Sequence, residues 1–373
     1  MKLSVIILNY NVCYFLQQCI LSVQSATAGH RAEIIVVDNA STDGSPQHIP
    51  KKFPTVKYIQ NTKNVGFAKA NNQAVSQASG EFICILNPDT AVAEDTFTKC
   101  FKYFGASKNI GALGVRYLDG TGNFLPEGKR NLPTPKVSFL KLLGMGKSYY
   151  VQNIGEGGSG KVPVLAGAFM FMKKETYQQV QGFDETYFMY GEDIDLSYKL
   201  LKAGYENHYT GAAQILHYKG ESTQKDTVYL ERFYKAMHVF YTKHFNYGSV
   251  PNAAVALGLW LAKIIKRLGF ATVAKKMPPR QQALLFSKNP ALIKKLTPII
   301  DVPLRAALQT ALQQGSIRNT LFVFDAEHMG YGAIFQAMQR YKNMGNSFRV
   351  RPKGCNFILG SDHSGTMGEV LHF

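Results

Sequence analysis

The first ninety residues predict an α/β fold with a mostly parallel sheet flanked by helices. Apolar, β-branched runs alternate there with helical stretches. The runs are nearly continuous, as strands buried on both faces require, and each one ends on polar residues. SVIILNYN (4–11) is the first strand, followed by a helix over 13–25. EIIVVDNAST (33–42) is the second, with a helix near 45–52. VKYIQN (56–61) is the third, GFAKANNQAVSQA (66–78) the next helix, and EFICIL (81–86) the fourth strand. Crossovers in such sheets are right-handed, and ligands gather beyond the carboxyl ends of the strands. Asn9, Asn11, Asp38, Asp43, Asn61, Asn87 and Asp89 stand at those ends, which points to one shared cleft.

Residues 105–160 are rich in Gly, Pro and basic side chains, as in PEGKRNLPTPK (126–136), and read as mobile loops around a hairpin. VPVLAGAFMFMKKE (162–175) returns to strand character. GEDIDLSYKLLKAG (191–204) is a helix stopped by Gly204, and AAQILHYKGEST (212–223) is a strand running into a polar loop. From Arg232 to Ile300 there are twelve Lys or Arg and no acid. Within this stretch Leu257, Leu261, Ile264 and Leu268 share a helical face with Trp260 at its edge, opposite Lys263, Lys266 and Arg267. The division expected is a catalytic domain over 1–245, a basic amphipathic helical segment over 246–300, and a small α/β appendage over 301–373.

The net charge of +17 points to acidic partners: nucleic acid, an anionic membrane surface or phosphorylated substrates. Five scattered cysteines without a CxxC spacing read as buried thiols of a reducing compartment. The short apolar run at the N-terminus is broken by Asn9, Tyr10 and Asn11, unlike a secretory signal, and no stretch reaches the length of a membrane span. The expected location is cytoplasmic, with any contact peripheral on the cytoplasmic face of the inner membrane. Nothing in the sequence speaks to the oligomeric state.

ILNPDT (85–90) is the most informative stretch. Asn-Pro starts turns and Asp caps helices, so a plain turn accounts for it; a metal and diphosphate site at a strand end accounts for it equally. Asp38, ending the second strand, can accept the ring N–H of a uracil or thymine base, or form an Asx turn with Ser41 and Thr42. Asn64, Gly66 and Asn71 suit ribose or base contacts, or an ordinary helix start. Glu192, Asp193 and Asp195 complement a helix N-terminus whatever else they do.

SVIILNYN, VVDNASTDGS, NVGFAKANNQA, LNPDT, LAGAFMFMKKE, GFDETYFMYGEDIDLSYKL and ILHYKGEST together resemble the glycosyltransferases of family 2, inverting enzymes of the GT-A fold, and their rhamnosyltransferase-like branch. The resemblance covers roughly residues 1–245. It implies a nucleotide-sugar donor, with dTDP-rhamnose or a UDP-hexose favoured, and a saccharide or lipid-linked saccharide acceptor of a bacterial envelope polymer. It places the base at Asp38 with Asp43 nearby. Asn87 keeps a ribose contact where the family usually has a first carboxylate, and Asp89 is left as the anionic ligand of a Mg²⁺ or Mn²⁺ ion. His217 is the second metal ligand, and Lys219, Ser222 and Thr223 face the departing diphosphate. Asp193 is the general base, Glu192 orients the acceptor, and Gly167 and Ala168 let the backbone approach the donor sugar.

A dinucleotide oxidoreductase would need GxGxxG after the first strand, where NYNVCYF stands. A nucleic-acid binder lacks aromatic platforms or a basic recognition helix. A catalytically inactive GT-A-fold scaffold is the remaining alternative, and the set Asp38, Asp89, Asp193 and His217 weighs against it.

Overall fold

In the computed structural model, which describes residues 2–134, 137, 146–221, 227–245, 278–313, 315–364 and 367–373, the first nine residues already set the architecture. Strand β1 (Leu3–Asn9) pairs in parallel with β2 (Ala32–Asp38) on one side and β4 (Phe82–Leu86) on the other, and β3 (Lys57–Gln60) extends β2. Side chains alternate across such a strand. Val5 and Ile7 therefore face a cluster with Leu16, Cys19 and Ile20 of helix Cys13–Thr27, while Ile6 faces the opposite cluster with Ala70, Ala74 and Val75 of helix Phe67–Ser76. Both faces are covered, which is why the strand text is continuously apolar.

Beyond β4 the sheet becomes mixed. The short β5 (Thr90–Val92) follows, then β6 (Ile110–Leu118), its hairpin partner β7 (Phe124–Leu125), β8 (Ser159–Lys161), β9 (Phe169–Lys173) and the long β10 (Glu206–His217). The order across the sheet is β3-β2-β1-β4-β9-β6-β10-β5. Six of its ten strands run one way, so the expected mostly parallel α/β layer is present.

Residues 105–160 differ from their reading as mobile loops around a hairpin. The hairpin is there, but β6 is a central strand, buried almost throughout between β9 and β10. Its glycines suggested a loop, yet they serve packing: a side chain at Gly111 would meet the Cβ atoms of Tyr205 and Leu200 at 2.9 and 3.2 Å. The strand expected over 162–175 is confined to β9, because Lys174–Gln179 turns helical. The second strand stops at Asp38, and β10 starts six residues earlier than 212.

A second sheet is built from β11 (Gln282–Phe286), β12 (Leu304–Ala306), β13 (Thr320–Asp325), β14 (Ser347–Arg351), β15 (Phe357–Gly360) and β16 (Glu369–His372), in the order β12-β11-β13-β14-β15-β16. It begins before residue 300. The lysines at 288, 294 and 295 pulled this part into the basic segment by charge, while Ala283, Leu285 and Phe286 bury it in the sheet. The amphipathic stretch around Leu257–Leu268 lies outside the described residues.

The second unit packs on the first through one apolar cluster that joins Val12, Phe15, Leu216 and Tyr218 to Phe322, Phe324, Phe335 and Phe348. Glu94 also caps helix Tyr331–Tyr341, accepting the N–H groups of Tyr331 and Gly332 at 2.6 and 3.0 Å. The appended unit thus backs the β5–β10 edge, where His217 stands. All five cysteines are buried and unpaired. Among the described residues no helix is long and apolar enough to cross a membrane.

Candidate active site

A cleft of about 560 Å³ opens at the carboxyl ends of β1, β2 and β4. Asn87 starts a turn, its N–H donating to Ala168 O at 3.1 Å and its carbonyl accepting the Thr90 hydroxyl at 2.7 Å. The chain then runs back as β5, antiparallel to the end of β10, with Thr90 opposite His217. The pairing carries Asp89 to the histidine. Asp89 Oδ1 lies 3.4 Å from His217 Nε2, and Asp89 O accepts the Tyr218 N–H at 3.0 Å. The turn and the carboxylate–imidazole pair are therefore one device.

Asp89 is 3% exposed, and its Oδ1 has no hydrogen-bond partner among the described residues. Leaving such an atom unpaired is costly unless a ligand satisfies it. A carboxylate and an imidazole this close fit a divalent cation such as Mn²⁺, whose other positions diphosphate and water can fill. No group of three or more His, Cys, Asp or Glu gathers for a metal among the described residues, and a cation here would meet only Asp89 and His217.

The acids at the start of helix Glu192–Lys202 follow Tyr190 and Gly191, both at positive φ. Asp193 is held from three sides. Its Oδ2 accepts Arg130 Nη2 at 2.6 Å and the Gly167 N–H at 3.0 Å, and its Oδ1 accepts the Ile194 N–H at 2.8 Å. Arg130 also donates to Leu165 O at 2.6 Å, and its own main chain pairs with Val164. Burial opposes the charge of this guanidinium, but the Asp193 carboxylate outweighs it and holds Arg130 more firmly protonated than usual. Nothing in PEGKRNLPTPK beyond one arginine among breakers signalled this role. Glu192 is buried, with Oε2 unpartnered among the described residues. Burial, and then the neighbouring Asp193, push its carboxyl well above the usual carboxylate range.

At the β2 end the structure substitutes one residue for another. Asp38 is fully buried and does not line the cleft; its Oδ2 accepts Asn9 Nδ2 at 2.6 Å and its Oδ1 the Ser41 N–H at 2.8 Å. The Asx-turn alternative describes it. Asn39 faces the cleft instead, linked to Asn61 at 2.9 Å and to Asn64 at 3.1 Å. Asp43 is exposed and caps, accepting the Cys13 N–H at 2.7 Å and the Ser45 hydroxyl at 2.6 Å. Asn71 is buried in its helix, donating back to Phe67 O at 2.9 Å, and stands outside the cleft lining. Gly66 lines the cleft at φ +90°, where a Cβ would come within 2.6 Å of Phe188 O.

Asn64, Gly66, Asn87, Gly167, Ala168, Glu192, Asp193, His217 and Lys219 meet in this one cleft. Lys219 is ion-paired with Glu127 there. Ser222 and Thr223 lie outside the described residues. Arg130, Asn39 and Arg232 also line the cleft and were not anticipated.

Residues 4–180 match the family described as Glycosyl transferase family 2, and residues 159–238 match one described as N-terminal domain of galactosyltransferase. The chain is 28% identical over 256 residues to an N-acetylglucosaminyl-diphospho-decaprenol L-rhamnosyltransferase of Mycobacterium tuberculosis, which covers 64% of this chain and 83% of that protein. It is 31% identical over 169 residues to Rhamnosyltransferase WbbL of Escherichia coli, covering 41% of this chain and 61% of that one. Among solved structures it is similar to GalNAc-T7 with UDP, GalNAc and Mn²⁺, with a TM-score of 0.49, 17% identity, and coverage of 64% of this chain and 48% of that one.

Proposed function

We propose that this chain, whose residues 4–180 form a glycosyl transferase family 2 domain, moves a sugar from a nucleotide-diphospho-sugar to a lipid-linked saccharide in cell-surface polysaccharide synthesis. The observation that carries the reading is the meeting of His217 and Glu192–Asp193 in one cleft, with the buried Asp89 behind His217, its Oδ1 3.4 Å from Nε2. His217 with Asp89 suits the diphosphate of a donor, and the Glu192–Asp193 pair suits the hydroxyl of an acceptor.

In this reading Asp193 takes the proton of the acceptor hydroxyl as its oxygen attacks the anomeric carbon. The new C–O bond forms as the bond to the diphosphate breaks, and the configuration inverts. Arg130 and the Gly167 N–H hold the Asp193 carboxylate in place, and Glu192 orients the acceptor by donating its retained proton. Asp89 and His217 would hold a divalent cation, which when bound supplies positive charge to the departing diphosphate. Lys219 stands in the same cleft, paired with Glu127, and can turn its ammonium to the diphosphate when the donor binds. Asn39 and Asn64 meet the nucleoside, and Asp38 orders the turn that presents Asn39. The donor we favour is dTDP-rhamnose or a UDP-hexose. The reaction belongs at the cytoplasmic face of the inner membrane, where such acceptors are held.

A panel of nucleotide sugars with and without Mn²⁺, read by release of nucleoside diphosphate in the presence of a lipid-linked saccharide, tests the proposal. One donor should turn over with the acceptor present. Donor binding without any turnover across the panel would favour the inactive scaffold.

A further inference from the structure

The helix Thr227–His244 buries Ala236, Met237, Phe240 and Tyr241 against the first unit. On a neighbouring face, at helical spacing, Arg232, Lys235 and Val239 stand over a second groove of about 370 Å³, whose other wall is formed by 186–189. Phe188, Met189 and Arg232 line both this groove and the catalytic cleft, so the two form one continuous depression. The shared wall is anchored, since Phe188 O accepts the Phe67 N–H at 2.7 Å. The Arg232 guanidinium lies 5.0 Å from the Phe188 ring centroid, a stacking that steadies the cation and leaves its N–H edges open.

Arg232 and Lys235 are exposed, and among the described residues neither joins an ion pair. Asp184, two residues before this wall, is taken by Lys243 at 2.6 Å. Two uncommitted cations beside Phe188, Met189 and Val239 fit a ligand that is anionic at one end and hydrocarbon beyond it. The groove leaves the cleft on the side of the segment that leads into Glu192 and Asp193, where the acceptor hydroxyl has to lie.

We infer that this groove is the acceptor subsite for a prenyl-diphosphate-linked saccharide. Arg232 and Lys235 hold the diphosphate oxygens, and Phe188, Met189 and Val239 lie along the first isoprenoid units. The inference rests on the proposed transfer reaction and adds to it the place and chemistry of acceptor binding.

Two acceptors bearing the same saccharide, one on a prenyl diphosphate and one on an octyl group, test it with Lys235→Glu. The exposed position lets the variant fold, which a thermal melt verifies. The ratio of kcat/KM for the prenyl-diphosphate acceptor to that for the octyl glycoside should fall about tenfold or more. An unchanged ratio overturns the assignment. Calorimetry with geranylgeranyl diphosphate reads the groove without turnover: binding should weaken about tenfold in the variant, and equal affinity overturns the inference. Failure of the unmodified protein to transfer sugar to either acceptor would instead sink the transfer reaction, so the two failures are told apart.

Discussion

The guanidinium of Arg130 sits 2.6 Å from the carboxylate of Asp193, and both side chains are nearly buried, at 11% and 15% exposure. The pair joins a loop that reads as formless to the residue with the best claim to be the general base. Its geometry, with the Gly167 and Ile194 N–H groups, fixes the Asp193 carboxylate in one orientation.

Asp193→Asn is expected to cut turnover about 100-fold or more while donor affinity stays near normal, because an amide takes no proton. Arg130→Met should lower turnover as well and also lower the melting temperature, since it leaves a buried carboxylate without its partner; removing one half of such a pair costs about 3–5 kcal/mol. Arg130→Lys should recover stability more than rate, as a single ammonium does not reproduce the planar fork. Near-normal turnover in Asp193→Asn would remove it from the mechanism.

Asp89→Ala and His217→Ala are each expected to weaken Mn²⁺-dependent donor binding, by calorimetry, with little effect on binding measured in chelator. In the proposed site only these two side chains would hold the cation, so the loss of either should be felt fully. Unchanged Mn²⁺ dependence in both variants would discard the site. If His217→Ala alone is silent, the histidine serves the β5–β10 junction only.

Glu221 accepts the Gly368 N–H at 2.7 Å where the two units meet. Burial, and also the charge of Asp89, push its carboxyl up to about 7, against the opposing Gly368 hydrogen bond. A carboxyl raised in the folded state binds more protons there than in the unfolded chain. Its stabilising effect is complete below the unfolded value near 4.5 and is lost as pH rises toward 7. Melting in chelator should therefore show Glu221→Gln gaining on the unmodified protein between these pH values. Parallel pH curves for the two would contradict this environment for Glu221.

Gly66→Ala should destabilise by about 1–3 kcal/mol, because the backbone is at φ +90° and the new Cβ would press on Phe188 O. Chemical denaturation measures it.

The parallel strands, the helix that starts at Glu192 and the cleft at the strand ends were legible because each rests on a local signal. Continuous β-branched runs, breakers such as Asn87-Pro88, and acids at a helix start all act within a few residues of one another. The stretches around Asp89, Asp193 and His217 stood out through their resemblance to a family, not through such signals. The strand β6 was not legible, because its glycines answer to Leu200 and Tyr205, far along the chain. The start of the second sheet at Gln282 was hidden by charge, since lysines flank a short apolar core.

By itself, then, the amino-acid order determined which segments become buried strands and which polar residues gather at their carboxyl ends. Only the tertiary structure decided which of those polar groups face the cleft. Asp38 and Asn39 are neighbours in one turn, yet Asn9 and Ser41 hold the carboxylate away from the cleft while the buried carboxamide lines it. Asp193 gains its arginine from a loop 63 residues away, and Asp89 meets His217 only because β5 folds back along β10. Hydrogen-bond partners and sheet pairings between distant segments set the direction and the charge environment of a side chain, and no local pattern encodes them.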